Sequence, residues 1–206
     1  MDEAVRSAWA PPDVEVRALT EPEARSAGAV AARALRDNPM MTYSIPGDAL
    51  ARLHAGYETF GERVPTGSVG ALLGTHVIGV AAAVAPGVCI GATAAEALRT
   101  RPEVPPDQAL GFDRARYVIN SMYEHDPEER HIHVGPVGVE RGAQGLGVGA
   151  AMMRALCDAL DADGELAWLE TDKPENVVFY RRHGFDVDVE DTALGFPIWY
   201  MRRRPR

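Results

Sequence analysis

The sequence has little cysteine, no long apolar run and no excess of basic residues. Its two cysteines, Cys89 and Cys157, fall in apolar stretches and outside any C-x-x-C or other metal-ligand spacing, which predicts buried, reduced thiols. No apolar run approaches the length that crosses a bilayer, and residues 1–12 lack an apolar signal region. These absences favour a cytoplasmic protein that uses neither disulfides nor a membrane anchor.

The charge of the chain limits the ligands that it can bind, and its length limits the number of domains. A formal net charge of −9 argues against nonspecific nucleic-acid binding and favours a cationic or amine ligand. The 206 residues are 46% hydrophobic, enough for one core and short for two full domains. We therefore predict a single domain over residues 13–201, between a flexible tail at 1–12 and a basic tail at 202–206. Abundant alanine and arginine are typical of a GC-rich bacterial genome.

Apolar periodicity predicts a mixture of helices and strands. In the first half, a strand from Val14 leads to an alanine-rich helix that ends at Asn38-Pro39, and Asp48 caps a second helix. A hairpin turns at Gly74-Thr75. Thr93 and Glu96 form a capping-box pattern, which predicts a further short helix to about residue 99.

The last third has the most regular pattern. Strands are predicted over residues 131–139, 167–171 and 198–201, and a helix begins near Val148. Another helix begins at Pro174 and ends at Gly184 in a left-handed cap, which would fold Phe185 back on Tyr180.

The segment 137–150 carries the most information about chemistry. A predicted strand enters a turn containing Gly142, Gly145 and Gly147, and this turn opens a helix. Glycines let a ligand approach the backbone closely, while outward amides and the positive end of the helix dipole attract phosphate. The pattern predicts a binding site for an anionic cofactor.

One interpretation of this segment is a dinucleotide fingerprint. Gly145, Gly147 and Ala150 fit G-x-G-x-x-G/A, and Glu170 stands where the ribose-binding acid would be. However, five residues separate Val139 from Gly145, whereas the fingerprint places its first glycine at the strand end. Too little chain follows Glu170 to complete a doubly wound sheet. An NAD(P)-binding protein is therefore the weaker alternative.

A second interpretation fits more of the chain. Gln144-x-x-Gly147-x-Gly149 resembles the Q/R-x-x-G-x-G/A motif of the GNAT acetyltransferase superfamily. The segments 168–171, 176–185 and 199–201 resemble that family's second half, and their pattern is most similar to the puromycin N-acetyltransferase branch. The resemblance covers most of the chain and is sharpest over residues 131–201. One departure is Glu140, which stands close to where the family often has proline.

The resemblance implies a GNAT-like α/β fold, with a central, mixed, mostly antiparallel and splayed sheet flanked by helices. It implies an acetyl-CoA-dependent N-acetyltransferase that acts by direct attack of a small-molecule primary amine in a ternary complex. The residues expected to hold the pantetheine arm are Val137, Gly138, Val139 and Asn176. Those expected to hold the pyrophosphate are Gln144, Gly145, Leu146, Gly147, Val148, Gly149 and Ala150.

The family's general acid matches Tyr180, whose phenol would protonate the leaving thiolate. Candidate bases are His133 and Glu170, with His131 on the same strand face as His133. The His131-x-His133 pair has no evident third ligand in the sequence, so we predict no metal. Cys157 lies in the middle of an apolar helical stripe, which argues against a thiol relay.

The acceptor pocket is expected from variable parts of the family architecture. Its candidate residues are Tyr57 and Glu58 on the second helix and Tyr123 within the stretch 116–124. We predict a small-molecule amine partner, no nucleic acid and no membrane, and the sequence leaves a homodimer open. A noncatalytic acyl-CoA-binding or regulatory module on the same fold is the rival from another class. The presence of Asn176 and Tyr180 favours an enzyme.

Overall fold

The computed structural model describes residues 13–61, 64–88 and 111–206. We number the elements along these residues only. The strands are β1 (Val14–Ala18), β2 (Val69–Leu73), β3 (His76–Val84), β4 (Ile132–Val139), β5 (Ala167–Thr171), β6 (Asp186–Asp191) and β7 (Ile198–Arg203). The helices are α1 (Glu21–Leu35), α2 (Pro39–Ser44), α3 (Ala49–Phe60), α4 (Phe112–His125), α5 (Val148–Ala162) and α6 (Pro174–Arg181). The short helix predicted after Thr93 lies outside the described residues.

The strands form one mixed sheet in the order β1-β2-β3-β4-β5-β7-β6. The β1–β2, β2–β3, β5–β7 and β6–β7 pairs are antiparallel, and β4 pairs with β5 in parallel. The predicted fold class, a mostly antiparallel sheet flanked by helices, is confirmed. A doubly wound parallel sheet is excluded, and with it the structural basis for a dinucleotide fingerprint.

The chain divides into two compact units, which we describe separately. The first consists of the described parts of Met1–Arg36, Leu53–Ala83 and Val134–Asp163. The second consists of the described parts of Asp37–Arg52, Val84–His133 and Gly164–Arg206.

The core of the first unit is built largely from small residues. In α1, Ala27 and Ala31 are completely buried, and they pack with Leu72 and Val80 of the sheet. A Cβ added to Gly28 of the same helix would lie 2.3 Å from the carbonyl oxygen of Phe60. Because glycine and alanine present so little side chain, the backbones of α1 and the end of α3 can approach each other closely.

Helix α1 begins with a capping box, as its sequence permits. The Glu23 carboxylate accepts a 2.9 Å hydrogen bond from the backbone N–H of Thr20 and a 2.8 Å hydrogen bond from the Thr20 hydroxyl. Arg17, at the end of β1, donates two further hydrogen bonds of 2.8 and 2.7 Å to the same carboxylate. These contacts connect the first strand to the first helix and hold the pKa of Glu23 well below its usual range, chiefly through the Arg17 hydrogen bonds.

The core of the second unit contains larger and more polar side chains. Trp168 and Ile198 of the sheet pack with Tyr117 and Val118 of α4. Tyr200 is fully buried, and its hydroxyl is 2.8 Å from the hydroxyl of Ser121. This unit therefore combines aromatic packing with buried hydrogen bonds.

Two elements of the second unit are absent from the sequence-based prediction. Helix α2 begins at Pro39, the residue that the prediction used only to end α1. The buried Asp172 carboxylate accepts the backbone N–H of Met40 at 2.8 Å and so caps α2 from a distant part of the chain. Strand β6 was also missed, because four of its six residues are acidic.

The C-terminal residues differ from the expected solvated tail. Strand β7 ends at Arg203, so it includes the first two residues of the segment predicted as a basic tail. Arg203 is 3% exposed, and its Nε donates a 3.0 Å hydrogen bond to the carbonyl of His183. Arg202 forms an ion pair of 2.8 Å with Asp188 of β6. These contacts explain why the strand continues through charged residues.

None of the helices in the described ranges is both long and apolar enough to cross a membrane.

Candidate active site

The glycine-rich turn lies in the first unit and presents an open backbone. Gly145 and Gly147 have φ angles of +75° and +82°, in the left-handed region that favours glycine. A Cβ added to either would meet nothing within 4 Å. Residues 144–147 are exposed. The turn therefore needs glycine for its backbone conformation, and it leaves space in which a ligand could approach the amides.

Helix α5 continues directly from this turn. The amide of Ala151 donates to the carbonyl of Gly147 at 3.0 Å, which closes the first helical turn. The N–H groups of Val148, Gly149 and Ala150 precede that bond and point out of the helix N-terminus. Together with the helix dipole, these donors provide the chemistry of an anion site.

Gln144 has a structural contact that the sequence did not predict. Its side-chain Nε2 donates a 2.9 Å hydrogen bond to the carbonyl of Val139, the last residue of β4. The expected contact with a pyrophosphate stays a prediction. In the structure, Gln144 holds the turn against the end of the strand.

Glu140 occupies the position near which the family often has proline. Its carboxylate accepts a 2.9 Å hydrogen bond from Nε of Arg33 on α1, and a second, short one from Nη2. These contacts are the main reason that the pKa of Arg33 is raised. A hydrogen bond between Arg33 and Tyr57 raises it further. The ion pair between Glu140 and Arg33 thus holds the start of the turn. In family members with proline near this position, the proline ring would restrict the backbone instead.

The second unit contains the candidate base residues. Strands β4 and β5 pair through only two residue pairs, Ile132 with Ala167 and His133 with Trp168. Nε2 of His133, in the second of these pairs, lies 3.2 Å from Oε2 of Glu170, which is two residues beyond the ladder. Both side chains are largely buried, with relative exposures of 9% and 13%. The structure therefore brings the two predicted base candidates into direct contact.

Helix α6 carries the candidate acid. Asn176 and Tyr180 are four residues apart and so lie on the same face of this helix. Nδ2 of Asn176 donates a 3.0 Å hydrogen bond to the hydroxyl of Thr171, at the end of β5. Gly184 has a φ of +84°, and the amide of Phe185 donates to the carbonyl of Tyr180 at 3.2 Å. The predicted helix cap is confirmed.

The Tyr180 side chain is buried among aromatic rings. Its ring makes edge contacts with those of Phe179 and Phe185, at centroid distances of 5.3 and 5.9 Å. Burial raises the pKa of the phenol well above its usual range, and the negative charges of Glu170 and Asp172 raise it further. The hydroxyl is therefore protonated at neutral pH, as a proton donor must be.

The residues predicted for the acceptor pocket are all exposed, but they do not belong to one unit. Tyr57 and Glu58 lie on α3 in the first unit, and Tyr123 lies on α4 in the second. Asp172 is a buried acid that the sequence analysis did not single out. Only its place directly after the buried strand β5 could have drawn attention to it.

Comparison with known proteins is consistent with this arrangement. The model of the acetyltransferase (GNAT) family matches residues 42–185 of the chain. The chain belongs to the GNAT acetyltransferase family. Enzymes of this family are acyltransferases that use acetyl-CoA, and the present chain is therefore an acyltransferase.

Solved structures support the fold of this acetyltransferase at low sequence identity. A mosquito arylalkylamine N-acetyltransferase like 5b is 13% identical, with a TM-score of 0.65 over 93% of this chain and 99% of that one. A structure described as histone acetyltransferase HPA2 and related acetyltransferase, from Corynebacterium glutamicum, is 18% identical, with a TM-score of 0.60 over 94% and 97%. The PaiA N-acetyltransferase of Thermoplasma acidophilum, solved with coenzyme A, is 11% identical, with a TM-score of 0.54 over 93% and 98%.

Proposed function

We propose that this acetyltransferase binds acetyl-CoA and transfers the acetyl group to the primary amine of a small molecule. The observation that carries the proposal is the exposed turn with left-handed Gly145 and Gly147, followed by the first amides of α5. A protein with a net charge of −9 needs a local group of donors to hold a pyrophosphate. The backbone of residues 137–139, beyond the ladder with β5, is the proposed partner of the pantetheine arm. Asn176 of the second unit keeps its cofactor-binding role as a proposal.

The chemistry proposed is direct attack in a ternary complex. The amine nitrogen forms a bond to the thioester carbonyl carbon, the carbon–sulfur bond breaks, and the thiolate leaves with the electron pair. Tyr180 donates the proton that converts this thiolate into free coenzyme A. Its raised pKa makes the phenol a weaker acid than free tyrosine. The proposal requires the thiolate to form in the same buried surroundings, where its pKa would be raised as well.

The proton released by the attacking amine needs an acceptor. We propose Glu170, with His133 as the group that orients its carboxylate, because these two side chains are in contact. A carboxylate in this position would also attract the ammonium form of the substrate before it loses its proton. Replacement of Glu170 by Gln keeps the shape of the side chain and is expected to lower kcat/KM by about 10²-fold. An activity within about twofold of wild type would show that the base lies elsewhere.

The acceptor is proposed to be a hydrophobic or aromatic primary amine. Three observations support this class: the acidic chain, the exposed aromatic side chains of Tyr57 and Tyr123, and the similarity to an arylalkylamine N-acetyltransferase. The resemblance to the puromycin N-acetyltransferase branch points to the same chemistry. A panel of arylalkylamines, polyamines and aminonucleosides, puromycin included, would identify the class through release of the coenzyme A thiol.

The cofactor is tested first and independently of the acceptor. At a ligand concentration about a hundredfold above Kd, binding adds about 2.7 kcal/mol and raises the melting temperature by roughly 5–10 °C. We expect this shift with acetyl-CoA and with free coenzyme A, and none with NADH. If millimolar acetyl-CoA gives no shift, the glycine turn is only a turn and the proposal fails. A shift without thiol release on any amine would support the noncatalytic module instead.

A further inference from the structure

A cluster of three potential metal ligands lies in the second unit. Asp126, His131 and His133 each offer one potential ligand atom, and these atoms lie within 4.8 Å of one another. The sequence shows the His131-x-His133 pair but no third ligand. The fold supplies it, because the turn between α4 and β4 brings Asp126 beside the first histidine. The cluster shares His133 with the acetyl-transfer chemistry proposed above, whereas Asp126 and His131 have no role in that chemistry.

The hydrogen bonds of His131 determine which of its nitrogens faces the cluster. Its Nδ1 lies 2.8 Å from the carbonyl oxygen of Glu129. A carbonyl can only accept, so Nδ1 carries the proton, and Nε2 of the neutral ring keeps its lone pair. That nitrogen lies 3.4 Å from Oδ1 of Asp126. A lone pair that faces a carboxylate at this distance is repelled by it, and a cation between them, either a proton or a metal ion, would remove the repulsion.

His133 is oriented in an equivalent way. Its Nε2 donates to the carboxylate of Glu170, 3.2 Å away, and this bond directs the lone pair to Nδ1. Metal-bound histidines in proteins almost always donate their other N–H to a carboxylate or a backbone carbonyl, which fixes the tautomer and the ring orientation. Here one histidine has the carbonyl partner and the other has the carboxylate partner. Both histidines are buried, with relative exposures of the whole residue of 5% and 7%.

We propose that Asp126, His131 and His133 bind a divalent transition-metal ion of the zinc class. Zinc–ligand bonds of roughly 2.0–2.2 Å in a tetrahedral site place neighbouring ligand atoms about 3.3 Å apart. The Asp126 and His131 atoms are 3.4 Å apart, and all three ligand atoms lie within 4.8 Å, so the side chains would move closer together around the ion. Two imidazoles favour zinc, cobalt or nickel over magnesium or calcium, which prefer oxygen ligands. Three protein ligands leave a fourth position for water or another donor.

The experiment uses the full chain, stripped of metal with a chelator and titrated with Zn²⁺ and Co²⁺ by calorimetry. We expect one ion per chain, a rise in melting temperature of roughly 5 °C at saturation, and visible absorption bands of tetrahedral Co²⁺. Mg²⁺ at the same concentration should give none of these. If Zn²⁺ does not bind at a metal concentration of about 0.1 mM, the proposal is wrong.

Variants assign the ion to the cluster. Asp126→Asn and His131→Gln keep the approximate shapes of the side chains and are expected to weaken Zn²⁺ binding at least tenfold. His76→Gln, at an exposed histidine on β3, should leave the affinity unchanged. Far-UV circular dichroism of each metal-free variant verifies that it folds. If His76→Gln lowers the affinity and the cluster variants do not, the binding is to surface histidines and the proposal is wrong.

Nitrogen NMR of the imidazole rings separates the metal from a proton. Addition of Zn²⁺ should shift Nε2 of His131 and Nδ1 of His133, while the other nitrogen of each ring keeps its proton. If His131 carries protons on both nitrogens at neutral pH and Zn²⁺ leaves its signals unchanged, an Asp126–His131 ion pair accounts for the cluster. Because every readout is metal binding, a failure here would leave the proposed acetyl transfer untouched.

Discussion

The two units differ in how many buried polar side chains and how many tightly packed glycines they contain. Of the nine buried polar or charged side chains in the described ranges, eight lie in the second unit, and Ser68 is the exception. At six of the described glycines, an added Cβ would lie under 3.0 Å from a neighbouring heavy atom. Five of these six lie in the first unit: Gly28, Gly61, Gly70, Gly79 and Gly138.

This difference matches the chemistry assigned to each unit. In the first unit the backbone dominates, because small residues let segments approach closely and the exposed turn offers its amides to the proposed phosphate. In the second unit side chains dominate, because the proposed proton transfer requires groups such as Tyr180 and Glu170 to be held in defined surroundings. Substitutions should therefore act mainly on stability or cofactor affinity in the first unit and mainly on catalysis in the second.

The largest expected effect tests the second unit. Tyr180→Phe removes the proposed proton donor but keeps the ring that packs against Phe179 and Phe185. We expect kcat to fall by about 10²-fold with little change in KM for acetyl-CoA, measured by thiol release. The melting temperature should stay within about 2 °C of wild type.

A second buried tyrosine provides the matched control. Tyr200→Phe removes a hydroxyl that hydrogen-bonds to Ser121 at 2.8 Å, so it should lower stability by about 1 kcal/mol and leave kcat within about threefold. If the two variants behave alike, Tyr180 has only a structural role and the comparison between the units fails.

The next effect concerns packing in the first unit. Gly28→Ala places a methyl group 2.3 Å from the backbone oxygen of Phe60, and a backbone atom cannot move aside as a flexible side chain can. We expect a loss of roughly 2 kcal/mol, or about 4–8 °C in melting temperature, with kcat at 20 °C little changed. In Gly47→Ala the nearest atom is 4.0 Å away, so this control should lie within about 0.5 kcal/mol of wild type. Equal melting temperatures for both variants would contradict the close packing of α1 on α3.

A smaller effect tests the turn itself. Gly147→Ala forces a left-handed conformation on a residue with a side chain, at a cost of about 1 kcal/mol. Because the backbone at this position is proposed to hold the pyrophosphate, Kd for coenzyme A should also rise by about tenfold. Gly74→Ala has the same type of strain at the β2–β3 hairpin, with φ of +60° for the glycine. Gly74→Ala should lower stability without lowering the affinity for coenzyme A. If both variants lose affinity, backbone strain alone accounts for the loss.

The smallest expected effect depends on pH. The folded pKa of Glu23 is lowered, so the carboxylate stabilises the fold fully above its ordinary pKa of 4.5 and loses that contribution as pH falls through the folded value. The difference in melting temperature between wild type and Glu23→Gln should therefore be largest near pH 7 and narrower at pH 3. Glu21→Gln, at an exposed position on the same helix, should show little difference at either pH. A gap for Glu23→Gln that widens in acid would have the wrong sign for this mechanism.

The sequence predicted the parts of the fold that local patterns determine. Strand β5 has the predicted bounds, and the cap at Gly184 and the contact of Phe185 with Tyr180 follow from local turn chemistry. Strand β6 was missed because pairing with β7 overrides the low strand propensity of its acidic residues. Helix α2 was missed because its cap, Asp172, is more than a hundred residues away along the chain.

Local patterns indicated part of the candidate site. The strand–turn–helix pattern indicated the glycine turn, and the family resemblance pointed to Asn176 and Tyr180, which lie on one face of α6. The contact between His133 and Glu170 depends on the register of two strands, and the approach of Asp126 to His131 depends on how a charged turn bends. No spacing rule encodes either contact. The roles of the individual site residues stay predictions until the variants are measured.

Helix α6 is only eight residues long, which is too short to persist without the contacts that hold it. It presents Tyr180 and is closed by a single glycine cap. Segments of this kind open at a lower free energy than the core does, and amide hydrogen exchange detects that opening. On heating, the enzyme should consequently lose turnover by fraying of this one helix while the sheet still exchanges slowly, so that an activity assay and a melting curve report two different events.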